Sequence, residues 1–186
     1  MFFIGRNWSP LVEFLADKGV KLLRREQDWY DIAQVCINGH TSNDTYIAHP
    51  IYNKDFCDKC GEKTITACPK CKENIRGDHH SPGVVAIGFG YTPPNYCHKC
   101  GNPFPWTSEK LDAAKELAEL LDELSDVEKE QLKMSLDELV KDGPRTVVAT
   151  TRFKGIMSKT GPEMAIGFKD ILIDLVSETV KKSIWG

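Results

Sequence analysis

The chain has 186 residues, with 24 basic and 27 acidic side chains and a formal net charge of −3. That near-balance gives no chain-wide field to draw it onto nucleic acid or an acidic membrane, so any such contact needs a local patch. No run of about 18 apolar residues exists to span a bilayer, and the Met-Phe-Phe-Ile-Gly start lacks the basic lead and long apolar stretch of an export signal; a cytoplasmic protein is expected.

Residues 1–30 read as a helical appendage: Ser9 and Pro10 can start a helix whose Leu11, Phe14, Leu15, Leu22 and Leu23 recur at roughly helical spacing. From 31 to 107 the texture changes to short β-prone stretches punctuated by Gly, Pro, Asn and Asp, and every candidate metal ligand lies there. Seven cysteines is an odd number, which suits metal ligation better than a closed disulfide framework. Cys57/Cys60, Cys68/Cys71 and Cys97/Cys100 form three Cys-x-x-Cys pairs, and Cys36 precedes His40 by four residues. Seven thiolates and one imidazole make two tetrahedral sets with no ligand left over, so two structural Zn²⁺ ions are expected.

The spacing explains the chemistry. A Cys-x-x-Cys turn brings two sulfurs to one metal, and a following Gly, here Gly61 or Gly101, permits the tight backbone that turns amides toward the thiolates. Cys57/Cys60 and Cys68/Cys71 are separated by only seven residues, too few for a hairpin, whereas 16 residues separate His40 from Cys57 and 25 separate Cys71 from Cys97. Sequential pairing is preferred: Cys36/His40 with Cys57/Cys60, and Cys68/Cys71 with Cys97/Cys100. The crossed alternative joins Cys36/His40 to Cys68/Cys71 and Cys57/Cys60 to Cys97/Cys100. Residues 84–91 read as a strand completing the second hairpin, while His79-His80, His49 and His98 read as exposed turn residues outside the metal sites.

After Trp106 the pattern turns helical. Leu111, Ala114, Leu117, Leu121 and Leu124 mark a first helix ending near Ser125; Ser125 and Glu128 form a capping box for a second, stopped by Gly143-Pro144. These make an acidic hairpin over 108–143, expected to pair antiparallel. Over 144–186, a last amphipathic helix from about Glu163 to Trp185 places Phe168, Ile171, Leu172, Leu175, Val176, Val180 and Ile184 on one stripe. Residues 108–142 hold 12 acidic and 5 basic side chains and residues 143–186 hold 4 and 7, so the two segments attract. The fold class expected is α+β, a double zinc ribbon followed by an α-helical region.

Both ligand sets are full, whereas a catalytic zinc keeps a position open. The deaminase, His-Glu-x-x-His and Gly-x-Ser-x-Gly patterns are absent, and Gly61-Glu-Lys-Thr64 is better explained as a knuckle turn than as the end of a phosphate loop. A non-enzymatic protein-interaction adaptor is the leading expectation. Nucleic-acid binding is the second, since Lys54, Lys59, Lys63, Lys70, Lys72, Arg76 and Lys99 occur beside Tyr52, Phe56, Tyr91, Tyr96 and Trp106. Residues 31–107 nevertheless hold seven basic and seven acidic side chains, and a thiolate-rich centre adds negative charge.

Asp31-Ile-Ala-Gln-Val-Cys-Ile-Asn-Gly-His40, Phe56-Cys-Asp-Lys-Cys-Gly61, Ala67-Cys-Pro-Lys-Cys71, Asn74-Ile-Arg-Gly77, Tyr96-Cys-His-Lys-Cys-Gly-Asn-Pro-Phe-Pro-Trp106 and the segment Asp170–Lys182 resemble an uncharacterised bacterial family of zinc-ribbon proteins, a domain of unknown function. The resemblance covers about 31–186. It implies a bacterial cytoplasmic protein with two metal ribbons followed by helices, carries the ligand role onto the same eight positions, and supplies no activity; residues 1–30 look like an addition.

Overall fold

The computed structural model describes residues 28–84 and 90–186. The expected N-terminal helix and most of the expected 84–91 strand lie outside the described residues.

The first half is built from five short strands: β1 (Trp29–Ile32), β2 (Gln34–Cys36), β3 (Thr41–Asn43), β4 (Thr64–Ile65) and β5 (Arg76–His80). They form two antiparallel sheets, a β1–β5 ribbon and a three-stranded sheet ordered β3–β2–β4. β2 is wholly buried and central, so the strand that ends in Cys36 is the best-anchored piece of this half. His79 and His80, expected in an exposed turn, instead pair with Tyr30 and Trp29 across β5 and β1. Their rings stack on those aromatics, with centroids 4.7 and 4.4 Å apart, because opposite residues of an antiparallel pair bring their side chains together.

With few large apolar residues available, buried polar side chains tie the loops down. Asp31 is 1% exposed; its carboxylate accepts the amides of Ile32 (2.6 Å), Ile47 (2.9 Å) and Ala48 (3.1 Å) and sits 3.3 Å from His80 Nε2. Gln34 donates to Lys54 O and Thr64 Oγ1 and accepts the Lys54 amide. Asn43 donates to His49 O and Asn53 Oδ1 and accepts from Thr45. The loop from 44 to 55 is therefore held by hydrogen bonds where a larger domain would use oily contacts.

Burial drives the Asp31 carboxyl up, but the three amides and His80 outweigh it and hold it below its model value of 3.8. A depressed folded value means that this group adds stability above the unfolded value and withdraws it as pH falls through the folded one. At pH 7, Asp31→Asn is expected to lower stability by about 2–3 kcal/mol, because an amide NH₂ would face donors. Equilibrium denaturation of the two proteins checks this.

Five helices follow: α1 (Pro105–Glu119), α2 (Asp126–Lys141), α3 (Thr146–Met157), α4 (Pro162–Leu172) and α5 (Glu178–Trp185). The Ser125/Glu128 capping box is present, and α2 ends where Asp142 takes a left-handed conformation. α1 stops at Glu119, short of the expected end near Ser125, and Leu121 and Leu124 enter the core from the connecting turn. The expected single last helix is two: Ser177 accepts the Val180 amide and starts α5 afresh. A Ser N-cap offers the chain an alternative to continuing the previous helix. The unbroken apolar spacing masked that restart.

α1 packs against α2 and α4, α2 against α3, and α3 against α5. Leu132, Leu136, Leu139, Phe153, Phe168 and Leu172 are at most 1% exposed, and Phe153 meets Phe168 edge to face at 5.7 Å. The stripe on α4 and α5 is thus core. The acidic and basic segments do meet, through Arg145 and Arg152 with Glu138 and Lys159 with Glu128.

Phe104 and Trp106 join the two halves. Their rings stack at 4.6 Å within a cluster containing Val35, Ile75, Cys68 and Cys97, and Trp106 Nε1 donates to Pro94 O. Asn95 Nδ2 donates to Leu175 O across to the helices.

Candidate metal centres

Each ligand pair sits on a turn of one kind. The amides of Cys57, Cys68 and Cys97 donate to Glu62, Glu73 and Asn102 carbonyls, and the amides of Gly61, Lys72 and Gly101 return to the carbonyls of Cys57, Cys68 and Cys97. Closing so tight a loop requires positive φ at the residue after the second cysteine: Gly61 has 75°, Gly101 has 69°, and Lys72 has 62°. Lys72 occupies the glycine position of the middle knuckle, a strain of about 1–2 kcal/mol that the sequence pattern concealed. At the fourth turn Gly39 has φ 89°, and a Cβ there would stand 2.9 Å from Trp106 Cβ. Trp106, beyond the last cysteine, therefore shapes the first ligand turn.

The structure brings the ligands together as the sequential pairing expects. Cys36, His40, Cys57 and Cys60 form one group and Cys68, Cys71, Cys97 and Cys100 the other, with all donor atoms of a group within 4.8 Å of one another. His40 Nδ1 lies 3.6 Å from Cys36 Sγ and from Cys57 Sγ, and Cys36 Sγ lies 3.8 Å from Cys60 Sγ. In the second group Cys68 and Cys100 sulfurs are 3.8 Å apart and Cys71 and Cys97 sulfurs 3.5 Å. A tetrahedral zinc with Zn–S of about 2.3 Å and Zn–N of about 2.0 Å has S–S edges of about 3.8 Å and S–N edges of about 3.5 Å. A disulfide would need about 2.05 Å. The described cysteines are all free thiols spaced for one four-coordinate ion per group. His49, His79, His80 and His98 belong to neither group.

The electrostatics of the empty cages show how each turn treats charge. Burial, with Cys60 and Cys57 beside it, pushes the Cys36 thiol to about 11 despite the amides of His40 and Asn38. Cys71 receives the Glu73 amide, but burial and the thiols of Cys100, Cys97 and Cys68 push it to about 12. The Asn102 backbone and side-chain amides hold Cys100 at about 6, the side chain 3.3 Å from the sulfur. At Cys57 burial opposes ionisation, yet the amides of Lys59 and Cys60 prevail; those of Cys100 and Lys99 lower Cys97. Amides aimed at sulfur stabilise thiolates, while packed neighbouring thiols oppose one another's ionisation until a cation joins them.

A family model described as an uncharacterized protein conserved in bacteria (DUF2321) matches residues 29–184. The chain belongs to that family. Comparison with curated proteins returns no match, and comparison with solved structures returns none either. The DUF2321 match begins at the first residue of β1 and ends one residue before the close of α5. It therefore takes in both ligand groups and all five helices. No helix among the described residues is long and apolar enough to cross a membrane.

Proposed function

We propose that this is a structural zinc protein of the cytoplasm, a double zinc ribbon carried on a helical bundle, acting as a non-enzymatic protein-interaction adaptor. The observation that carries the structural reading is the completeness of both ligand sets: four protein donors per group leave no position for water or substrate. Thiolate-rich tetrahedral donors with an imidazole suit zinc over harder divalent ions.

The adaptor reading draws on where apolar surface lies. The amphipathic stripe on α4 and α5 is consumed in the core, whereas the loop of the first ribbon displays Ile47, Ile51, Tyr52 and Phe56, with Ile51 82% and Phe56 63% exposed. That loop is pinned by Asp31, Gln34 and Asn43, so its apolar groups are presented on a fixed frame. Affinity recovery of the wild type against the variant Ile51→Ser/Tyr52→Ser/Phe56→Ser tests the reading. Stoichiometric protein partners are expected with the wild type and lost with the variant at unchanged zinc content; identical recoveries would refute it.

One observation favours a nucleic-acid role as the second reading. Tyr30 and Trp29 stack on His79 and His80, and the Arg76 guanidinium lies 4.9 Å over the Tyr30 ring, an arrangement on which bases can stack. A salt-dependent gel shift with single-stranded RNA, abolished by Tyr30→Ala, would support it; absence of any shift at low salt would end it.

A further inference from the structure

Where the first metal centre faces α1, a cleft of about 300 Å³ opens between the two halves of the protein, walled by His40, Thr41, Lys59, Trp106, Lys110 and Asp174. His40 turns Nδ1 to the thiolates of Cys36 and Cys57, which leaves Nε2 on the side of the ring away from them. With metal on Nδ1, Nε2 must carry the proton. A metal-ligating histidine ordinarily donates that second N–H to a carboxylate, a carbonyl or water. Among the described residues His40 Nε2 has no protein acceptor. The Lys59 ammonium at the same cleft makes no ion pair among the described residues, and Lys110 meets a single carboxylate, that of Asp174 at 2.9 Å.

We infer that this cleft binds a carboxylate, which accepts the His40 Nε2–H and lies between Lys59 and Lys110 against the Trp106 wall. The chemistry is specific to an acceptor with negative charge: one fixed N–H donor and two ammonium groups converge there, while a thiolate-rich centre beside them repels anions placed elsewhere. Asp174 already puts one carboxylate at the rim, so it competes with the ligand for Lys110. The volume admits a small organic acid or the end of a peptide chain, not a folded surface.

The inference rests on metal being bound at His40, so zinc content is measured on every sample used. Benzoate and its neutral isostere benzamide are titrated by calorimetry, with the Trp106 indole N–H followed by NMR; the peptide Gly-Gly-Phe with a free or an amidated end distinguishes a chain terminus from a free acid. Benzoate or the free-ended peptide should bind and benzamide and the amidated peptide should not. His40→Cys keeps a four-thiolate zinc site but removes the N–H, and should weaken binding about tenfold or more at two equivalents of zinc. Lys59→Met should weaken it several-fold, and Asp174→Asn should tighten it. Equal binding of the neutral compounds, no binding of either acid, or full affinity in a zinc-replete His40→Cys protein would overturn the inference. Zinc well below two equivalents in the wild type would instead overturn the metal reading beneath it.

Discussion

Chelation, or Cys97→Ser, is expected to unfold residues 31–107 while the helices persist. The reason is a difference in core size. Seventeen buried apolar residues form the helical cluster, against seven in the ribbon cluster, of which two are the cysteines Cys68 and Cys97. Burying a Val, Ile or Phe side chain contributes about 1.5–3 kcal/mol, while ordering each residue's backbone costs about 1–2 kcal/mol. A handful of such side chains falls far short of what some seventy-odd ordered residues require, whereas a structural zinc contributes on the order of 10 kcal/mol at neutral pH. Hydrogen exchange should show amides of β2 and β4 losing protection in Cys97→Ser while those of α1–α4 keep theirs, with zinc falling from two equivalents. Chelated protein should keep most of its helical circular dichroism. Full protection of the ribbon amides without metal would contradict the metal reading.

The second large effect is expected at Gly77, within the Asn74-Ile-Arg-Gly77 segment. A Cβ there would stand 2.2 Å from Asp44 O, 2.8 Å from Ile32 C and 2.9 Å from Ala33 N. All three are backbone atoms, so no rotamer change relieves the clash. The β1–β5 register is irregular at this place, Tyr30 facing His79 but Ile32 facing Arg76, and the Asp78 amide donates to Asp44 O. Gly77→Ala must therefore push apart the β1–β2 corner and the Asp44 loop, and is expected to cost about 3 kcal/mol or more, at the upper end for overpacking. Gly61→Ala is the matched control: φ is 75° but nothing lies within 4 Å of the added Cβ, so the cost is about 1–2 kcal/mol from backbone strain alone. Thermal unfolding of the two variants with zinc in excess measures the difference; equal losses would show that the close approach at Gly77 is not limiting.

These two cases mark what could be read from residues and what could not. The eight ligands and their grouping followed from local spacing, because a knuckle is a turn of a few residues and seven residues between two of them leave no room for a hairpin. The α2 cap was legible for the same reason, Ser125 and Glu128 being three positions apart. The division of the last helix was missed because core-facing spacing runs on through Leu175 and Val176 while the Ser177 cap interrupts the backbone. His79 and His80 were misplaced because their setting depends on β1, more than forty residues earlier.

By itself the sequence determined the metal chemistry, the two-part organisation and the helical character of the second part, since each rests on contacts between near neighbours. Only the tertiary structure decided that Trp106 abuts Gly39, that Asp31 and Gln34 are the ties of the first ribbon, that Lys72 accepts a glycine's conformation, and that a cationic cleft opens behind His40. All four depend on segments far apart in the chain meeting at van der Waals or hydrogen-bond distance, which periodicity and spacing do not encode.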